Sequence, residues 1–140
     1  MCATGCAGTC HDRRVHRYEL PRREIDRFDS LGVAMDFLPD AVAAQGGEVT
    51  SVHLAHLDAG GTLGRHPATR RQVFAVVSGH ARVATGDEPP ADLRAGECVV
   101  WEPGEVHQTW AVDDVVAVVV ETGGDVVPTQ LHRLLPTPRP

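Results

Sequence analysis

The chain has 140 residues, a formal net charge of -6 and an apolar fraction of 42%, which suits a single domain with its own core. The acidic balance argues against a surface that neutralises nucleic-acid phosphates, and no segment approaches the roughly 20 apolar residues of a membrane span. All 13 basic residues are arginine, so Schiff-base chemistry through lysine is excluded.

The N-terminal part of the chain predicts a tail followed by a charged arm. Residues 1–18 form the predicted tail, and Cys2, Cys6 and Cys10 within it match no C-x-x-C knuckle, which favours incidental thiols over a zinc or iron–sulfur site. Residues 19–30 interleave arginine with acidic residues and predict either a short helix or an extended arm. The first residues lack a charged segment followed by an apolar run, so we predict a cytoplasmic protein.

From Val33 onward the sequence consists of short runs with a period of two, separated by turn residues. The runs span residues 33–38, 48–57, 72–77, 81–84, 97–101, 107–112 and 115–121. Such spacing is typical of an all-β sandwich or barrel, for example a double-sheet jelly roll. Without an internal repeat, we predict one domain over residues 19–127 and a proline-rich tail over residues 128–140. Cys98 falls inside one run and is expected to be a small core residue.

Alternation along the predicted strands places several polar side chains on the inner face of this barrel. Gln72 shares a face with Phe74, and His107 shares one with Thr109. A small barrel has room inside for side chains or one small ligand. Because an unpaired buried amide or imidazole costs about 1–3 kcal/mol, these groups either bond to each other or hold water, a metal or a ligand.

A glycine-bounded segment at residues 60–79 carries the first of two recognisable motifs. Gly60, His66 and Gly79 fit the pattern G-x(5)-H-x-H-x(3,4)-E-x(6)-G, while Ala68 replaces the second histidine and Gln72 replaces the glutamate. This is the first motif of the cupins, and over about residues 48–122 the chain resembles a small single-domain cupin.

The second cupin motif, G-x(5)-P-x-G-x(2)-H-x(3)-N, is also partly present. Gly96, Gly104 and His107 match it, whereas Glu102 replaces the proline and Ala111 replaces the asparagine. The resemblance implies an all-β fold of the cupin type, a double-stranded β-helix or jelly-roll barrel. An irregular or short helical N-terminal arm precedes it.

The resemblance also implies a metal site, since a complete cupin holds a divalent transition metal with three histidines and a glutamate. Carried over by position, the ligands here are His66, His107 and Gln72, the last through its amide oxygen. Two imidazoles and a carbonyl suit Fe, Ni, Cu, Mn or Zn, in a weaker and more open site than one with a carboxylate. A metal-free hydrogen-bonded cluster is the alternative. His53 and His56 face opposite sides of the preceding run, so at most one can replace the missing histidine.

These residues predict a metal-dependent enzyme that acts on a small metabolite as an oxygenase, isomerase, lyase or cyclase. The alternative is a metal-free cupin that binds a small molecule as a sensor or carrier. Glu105 is a candidate catalytic base, with an exposed turn carboxylate as the other interpretation. The predicted substrate pocket contains Phe74, Trp101, Thr109 and Arg70. Arg70 is suited to bind a carboxylate, with a surface arginine as the other interpretation. By resemblance we expect a homodimer, with no nucleic acid or membrane partner.

Overall fold

The computed structural model describes residues 15–138, and the three cysteines of the predicted N-terminal tail lie outside this range. Within it the chain forms ten strands and one 3₁₀ turn, Arg27–Asp29. The strands are β1 Arg22–Glu24, β2 Leu31–Phe37, β3 Ala41–Val42, β4 Val49–Pro67, β5 Arg71–Ser78, β6 His80–Thr85, β7 Ala91–Arg94, β8 Cys98–Trp101, β9 Val106–Ala111 and β10 Val115–Thr122. No helix among the described residues is both long and apolar enough to cross a membrane.

The strands pair antiparallel in the order β7-β6-β9-β4-β10-β5-β8, with β2 and β3 also on β4 and β1 on β2. The long strand β4 joins two sections of this sheet, because residues 50–57 pair with β10 whereas residues 62–67 pair with β9. The sheet curls into a nearly closed barrel, and the prediction of an all-β barrel is confirmed.

The glycines at the middle of β4 were expected to form a turn, and this expectation was wrong. Gly60 has a positive φ of 80°, and a Cβ on Gly61 would lie 2.8 Å from the carbonyl oxygens of Asp58 and Leu31. The pairing register with β9 shifts between Leu63 and His66. Glycines in a strand interior often mark such bends and close approaches, so here they redirect the strand without reversing it.

The N-terminal arm combines the two forms that the sequence left open. β1 is extended and pairs with β2, and the 3₁₀ turn follows it. The short strands β1, β3 and β7 were not predicted, since two to four residues give too short a pattern to detect. Residues 123–138, which include the described part of the proline-rich tail, form no strand.

The core lies between the inward faces of the strands, where Leu57, Phe74 and Trp101 are almost completely buried. Each buried side chain of the leucine or phenylalanine kind contributes about 1.5–3 kcal/mol. Cys98 does not belong to this core, because it is exposed at the start of β8. Trp101 fixes the inward phase of that strand, which turns Cys98 to the other face and corrects the sequence prediction.

The β5–β6 connection approaches the β9–β10 connection closely at Gly79. This residue has a φ of 89°, and a Cβ on it would collide with the carbonyl oxygen of Asp114. Only glycine meets both requirements, which explains why this position of the first motif is filled as the family pattern demands.

Candidate functional site

Four side chains at one level of neighbouring strands form what we call the polar row. In strand order β4-β10-β5-β8 they are Ser51, Glu121, Gln72 and Trp101, each paired in register with the next. Gln72 and Trp101 are buried, so this row faces the barrel interior. Alternation along β5 had already placed Gln72 on the inner face.

A second row, the histidine row, contains His66, His107 and Thr85, which are register partners on β4, β9 and β6. The indole of Trp101 lies parallel to the His107 ring, with 3.9 Å between ring centroids. Its Nε1 donates a hydrogen bond of 2.7 Å to Thr85 Oγ1. Trp101 therefore joins the polar row to the histidine row, and two sections of the sheet meet at this one side chain.

Both imidazoles of the histidine row are oriented in the same way by their own strands. His66 Nδ1 lies 2.6 Å from the Gly64 carbonyl oxygen, and His107 Nδ1 lies 3.0 Å from that of Glu105. Since a carbonyl oxygen only accepts, both rings carry a proton on Nδ1, which leaves Nε2 as the ring nitrogen available to another group. The ring centroids are 4.5 Å apart, with 60° between the ring planes.

His107 is fully buried, and among the described residues its Nε2 has no hydrogen-bond partner. Burial lowers the pKa of His107 to about 4, and the neighbouring His66 acts in the same direction, so the ring is neutral at pH 7. Thr109 Oγ1, on the same face of β9, is also buried and has no partner within residues 15–138. Unsatisfied buried groups of this kind destabilise a fold by about 1–3 kcal/mol each, so their presence at two neighbouring positions of β9 needs an explanation.

The outer side of His66 is covered by Phe28, which the sequence analysis did not single out. The two rings are nearly parallel, with centroids 4.8 Å apart and an interplanar angle of 13°. Phe28 lies in the 3₁₀ turn of the arm. Nothing in the local pattern signals this contact, because it depends on how the arm folds back onto β4.

A carboxylate that the sequence analysis did not consider lies on the inner face of β10, with its side chain 32% exposed. Glu121 shares the inward phase of Val119 on β10 and stands between Ser51 and Gln72 in the polar row. Its Oε2 is 3.8 Å from His53 Nε2. The apolar alternation of β10, continued by one step to residue 121, was the available signal.

Of the two histidines on the first half of β4, His53 is the one on the inner face, in phase with buried Ala55. Its buried Nδ1 has no partner among the described residues. His56 faces the other side, where its Nε2 is 2.9 Å from Asp36 Oδ2. Arg22 also binds Asp36, and its hydrogen bond holds the pKa of that carboxyl well below the usual range.

Two charged residues predicted for the site bond to neighbouring protein groups. The Glu105 side chain accepts a 2.8 Å hydrogen bond from the backbone N–H of Glu102, so it stabilises the turn before β9. The Arg70 guanidinium donates to the Val49 carbonyl and, at 3.0 Å, to Ser51 Oγ. Both groups hold backbone at the edges of the interior.

The remaining predicted pocket residues lie together inside the barrel. Phe74 is fully buried next to Trp101, with ring centroids 6.1 Å apart, and Thr109 lies on the same strand face as His107. Within residues 15–138, no three side chains of the His, Cys, Asp and Glu types converge as a metal-binding group.

Comparison with known proteins gives one family and many structural neighbours. The family model described as "Cupin domain" matches residues 53–123, and no curated protein matches the chain significantly. A cupin-like protein from Thermotoga maritima is 22% identical, with a TM-score of 0.63 over 78% of this chain and 82% of that one. KdgF from a Halomonas species is 15% identical, with a TM-score of 0.60 over 75% of this chain and 89% of that one.

A Klebsiella pneumoniae protein with a double-stranded β-helix domain is similar in the same way. It is 20% identical, with a TM-score of 0.56 over 74% of this chain and 84% of that one. At these identities the structural likeness shows a shared fold. The family model adds the sequence evidence, because its match covers just over half of the chain and includes His66, Gln72 and His107. The chain therefore belongs to the cupin family.

Proposed function

We propose that this protein is a metal-dependent cupin enzyme acting on a small metabolite, with the ion held by His66, His107 and Gln72. The observation that carries the proposal is the pair of imidazoles, each with Nδ1 bonded to a backbone carbonyl, together with the buried Nε2 of His107, which has no partner among the described residues. Metal-bound histidines characteristically donate their other ring N–H to a carbonyl or carboxylate, which fixes the tautomer.

The separation of the two rings supports this donor set. At the metal–nitrogen distances of about 2.0–2.1 Å found for zinc, two imidazoles on neighbouring coordination positions have centroids roughly 5 Å apart. The observed 4.5 Å is close to that value. Gln72 is buried and is the register partner of Trp101, which itself covers His107, and this placement supports Gln72 as the third donor. A neutral donor set binds more weakly than one with a carboxylate and favours imidazole-preferring metals such as Zn, Cu, Ni and Fe.

A divalent ion at this place would supply a Lewis acid and lower the pKa of a bound water. The protein's own groups supply the rest of the pocket. Trp101 and Phe74 give it an apolar wall, and Thr109 Oγ1 offers a hydrogen bond to a substrate. Glu121, in the polar row, is the inward carboxylate available to accept a proton. This set suits isomerase, lyase, cyclase or oxygenase chemistry.

The second candidate function is a metal-free binding module that serves as a sensor or carrier. It is favoured by the absence, among the described residues, of a third ionisable metal ligand near the two histidines. In that case the two Nε2 lone pairs accept hydrogen bonds from hydroxyl or amide groups of a small ligand, and Gln72 provides both a donor and an acceptor.

Metal analysis of protein purified without a histidine tag, followed by calorimetric titration with Zn²⁺, Ni²⁺ and Cu²⁺, separates the two functions. We expect stoichiometric binding that is lost in His66→Ala and His107→Ala. His56→Ala is the matched control, because His56 lies on the outer face of β4 and should leave binding unchanged. Binding that survives both interior substitutions, or no binding by the unaltered protein, would overturn the metalloenzyme proposal.

The homodimer and the cytoplasmic location remain predictions. The dimer is checked by light scattering after size-exclusion chromatography at several protein concentrations, where a mass equal to one chain at every concentration would contradict it.

A further inference from the structure

The 3₁₀ turn of the arm has an unusual backbone at the point where it touches the histidine row. Phe28 and Asp29 both have positive φ, 59° and 57°, the left-handed region that residues with a Cβ rarely adopt. For a bulky phenylalanine this conformation is unfavourable and persists only when surrounding contacts determine it.

Gly64 on β4 supplies those contacts. A Cβ at this position would overlap the carbonyl oxygen of Phe28, so only glycine allows the arm to approach so closely. The Gly64 N–H donates a 2.9 Å hydrogen bond to Ser30 Oγ, and its carbonyl accepts from His66 Nδ1. The same residue therefore fixes both the arm and the imidazole against which the arm lies.

Burial of apolar surface does not explain why Phe28 is placed here. The side chain remains 44% exposed although its ring lies flat on His66. The Arg27 guanidinium lies 4.8 Å from the centroid of the same ring. The Phe28 ring therefore covers the outer side of the His66 imidazole, whereas the His107 ring contacts the same imidazole edge-on from the barrel interior.

We propose that Phe28 is a positioning residue of the candidate site, whose ring fixes the plane of the His66 imidazole and hence the direction of its Nε2. The inference rests on the proposed function only where a metal ion is the probe. Its structural part, the ordering of His66 by Phe28, is testable in protein without added metal.

The first experiment uses NMR on metal-free protein. In the unaltered protein, the carbon-bound protons of the His66 ring should show an upfield ring-current shift, and the nitrogen shifts should report a single tautomer with the proton on Nδ1. Phe28→Leu removes the aromatic ring, so the upfield shift should disappear. Without the stacked ring the imidazole can rotate away from the Gly64 carbonyl, so its bond to that carbonyl should weaken and the tautomers should mix. Phe28→Tyr should restore both signatures.

Two further variants make the test specific. Leu31→Ala changes a neighbouring side chain that is 70% exposed, and it should leave the His66 signals unchanged. Gly64→Ala keeps the Phe28 ring but blocks the approach of the arm, so it should remove the ring-current shift as Phe28→Leu does. Far-ultraviolet circular dichroism shows whether each variant retains the barrel.

The second experiment measures Zn²⁺ and Ni²⁺ affinity by calorimetry. Residues that orient metal-bound histidines typically change affinity about 10–100-fold when mutated, so we expect Phe28→Leu to weaken binding roughly tenfold. Phe28→Tyr should stay within about twofold of the unaltered protein, since it retains the stacking ring.

The inference is overturned if folded Phe28→Leu keeps the His66 tautomer and metal affinity of the unaltered protein, or if the unaltered protein shows no ring-current shift. Failure of the unaltered protein to bind any metal refutes the metal proposal alone. In that case the tautomer and ring-current results still decide whether Phe28 positions His66.

Discussion

Replacing His107 with leucine should stabilise the protein when no ligand is bound. The substitution removes the buried Nε2 that lacks a partner among the described residues, and such a group costs about 1–3 kcal/mol. The Glu105 carbonyl that accepts from His107 keeps a second donor, the N–H of Ala68 at 2.9 Å, so no new unsatisfied group appears. The loss is the parallel stacking on Trp101, worth about 0.5–1.5 kcal/mol.

The balance predicts that His107→Leu is more stable by about 1 kcal/mol, which for a domain of this size raises the melting temperature by roughly 3–5 °C. His107→Ala is the comparison variant. It also removes the imidazole but leaves a cavity, so it should be less stable than His107→Leu by about 2–5 kcal/mol. Both are measured by urea and thermal unfolding in the presence of a chelator.

Added metal should reverse the order of stabilities. An ion that binds only the folded state at 100 times its dissociation constant adds about 2.7 kcal/mol to the unaltered protein and nothing to His107→Leu. If folded His107→Leu is less stable than the unaltered protein by more than about 1 kcal/mol in chelator, Nε2 is satisfied in the free protein. The argument that this atom is kept for a ligand then fails.

Three further results are expected. Gln72→Glu should tighten metal binding in calorimetry but lower the stability of the metal-free protein by about 1 kcal/mol, because Glu121 lies opposite residue 72 in the ladder. Adding Glu121→Gln should restore that stability. An unchanged metal affinity in Gln72→Glu would mean that residue 72 does not face the ion. Gly79→Ala should lose about 1–3 kcal/mol more stability in thermal unfolding than Gly96→Ala. Both positions have positive φ, but only at residue 79 would the new Cβ meet backbone, the carbonyl oxygen of Asp114. Equal losses in the two variants would contradict this steric argument. The pKa of Asp36 is lowered by its bond to a guanidinium, so its contribution to stability should be present above about pH 4 and lost as the pH falls. The melting temperature should therefore vary less with pH in Asp36→Asn than in the unaltered protein. Parallel plots of melting temperature against pH for the two proteins would refute this.

The strands and their inward faces were predictable because alternation is a local property. A period of two places His107 with Thr109 and Gln72 with Phe74 whatever the partner strands are, and the structure has them so. The bend in β4 was not predictable in this way. A pair of glycines is compatible with a turn or with a continuing strand, and only the pairing of β4 with both β9 and β10 decides between them.

The parts of the candidate site that were missed depend on contacts between segments distant in sequence. Glu121 becomes a neighbour of Gln72 because β10 pairs with β5, and no local pattern reports that register. Phe28 reaches His66 only because Gly64 admits the arm and the arm adopts left-handed backbone there. Sequence motifs identified the imidazoles, whereas the groups that surround them follow from the tertiary structure.

The position of β10 between β4 and β5 also determines when the barrel can form during synthesis. Residues 115–122 are the last of the described strands to leave the ribosome, and until then β4 and β5 each lack the strand that pairs between them in the finished barrel. Unpaired strand edges are prone to pair with other chains, and folds dominated by non-local pairing complete slowly, in milliseconds to seconds. The edges of β4 and β5 that β10 will cover therefore stay open to wrong pairing until this strand is inserted.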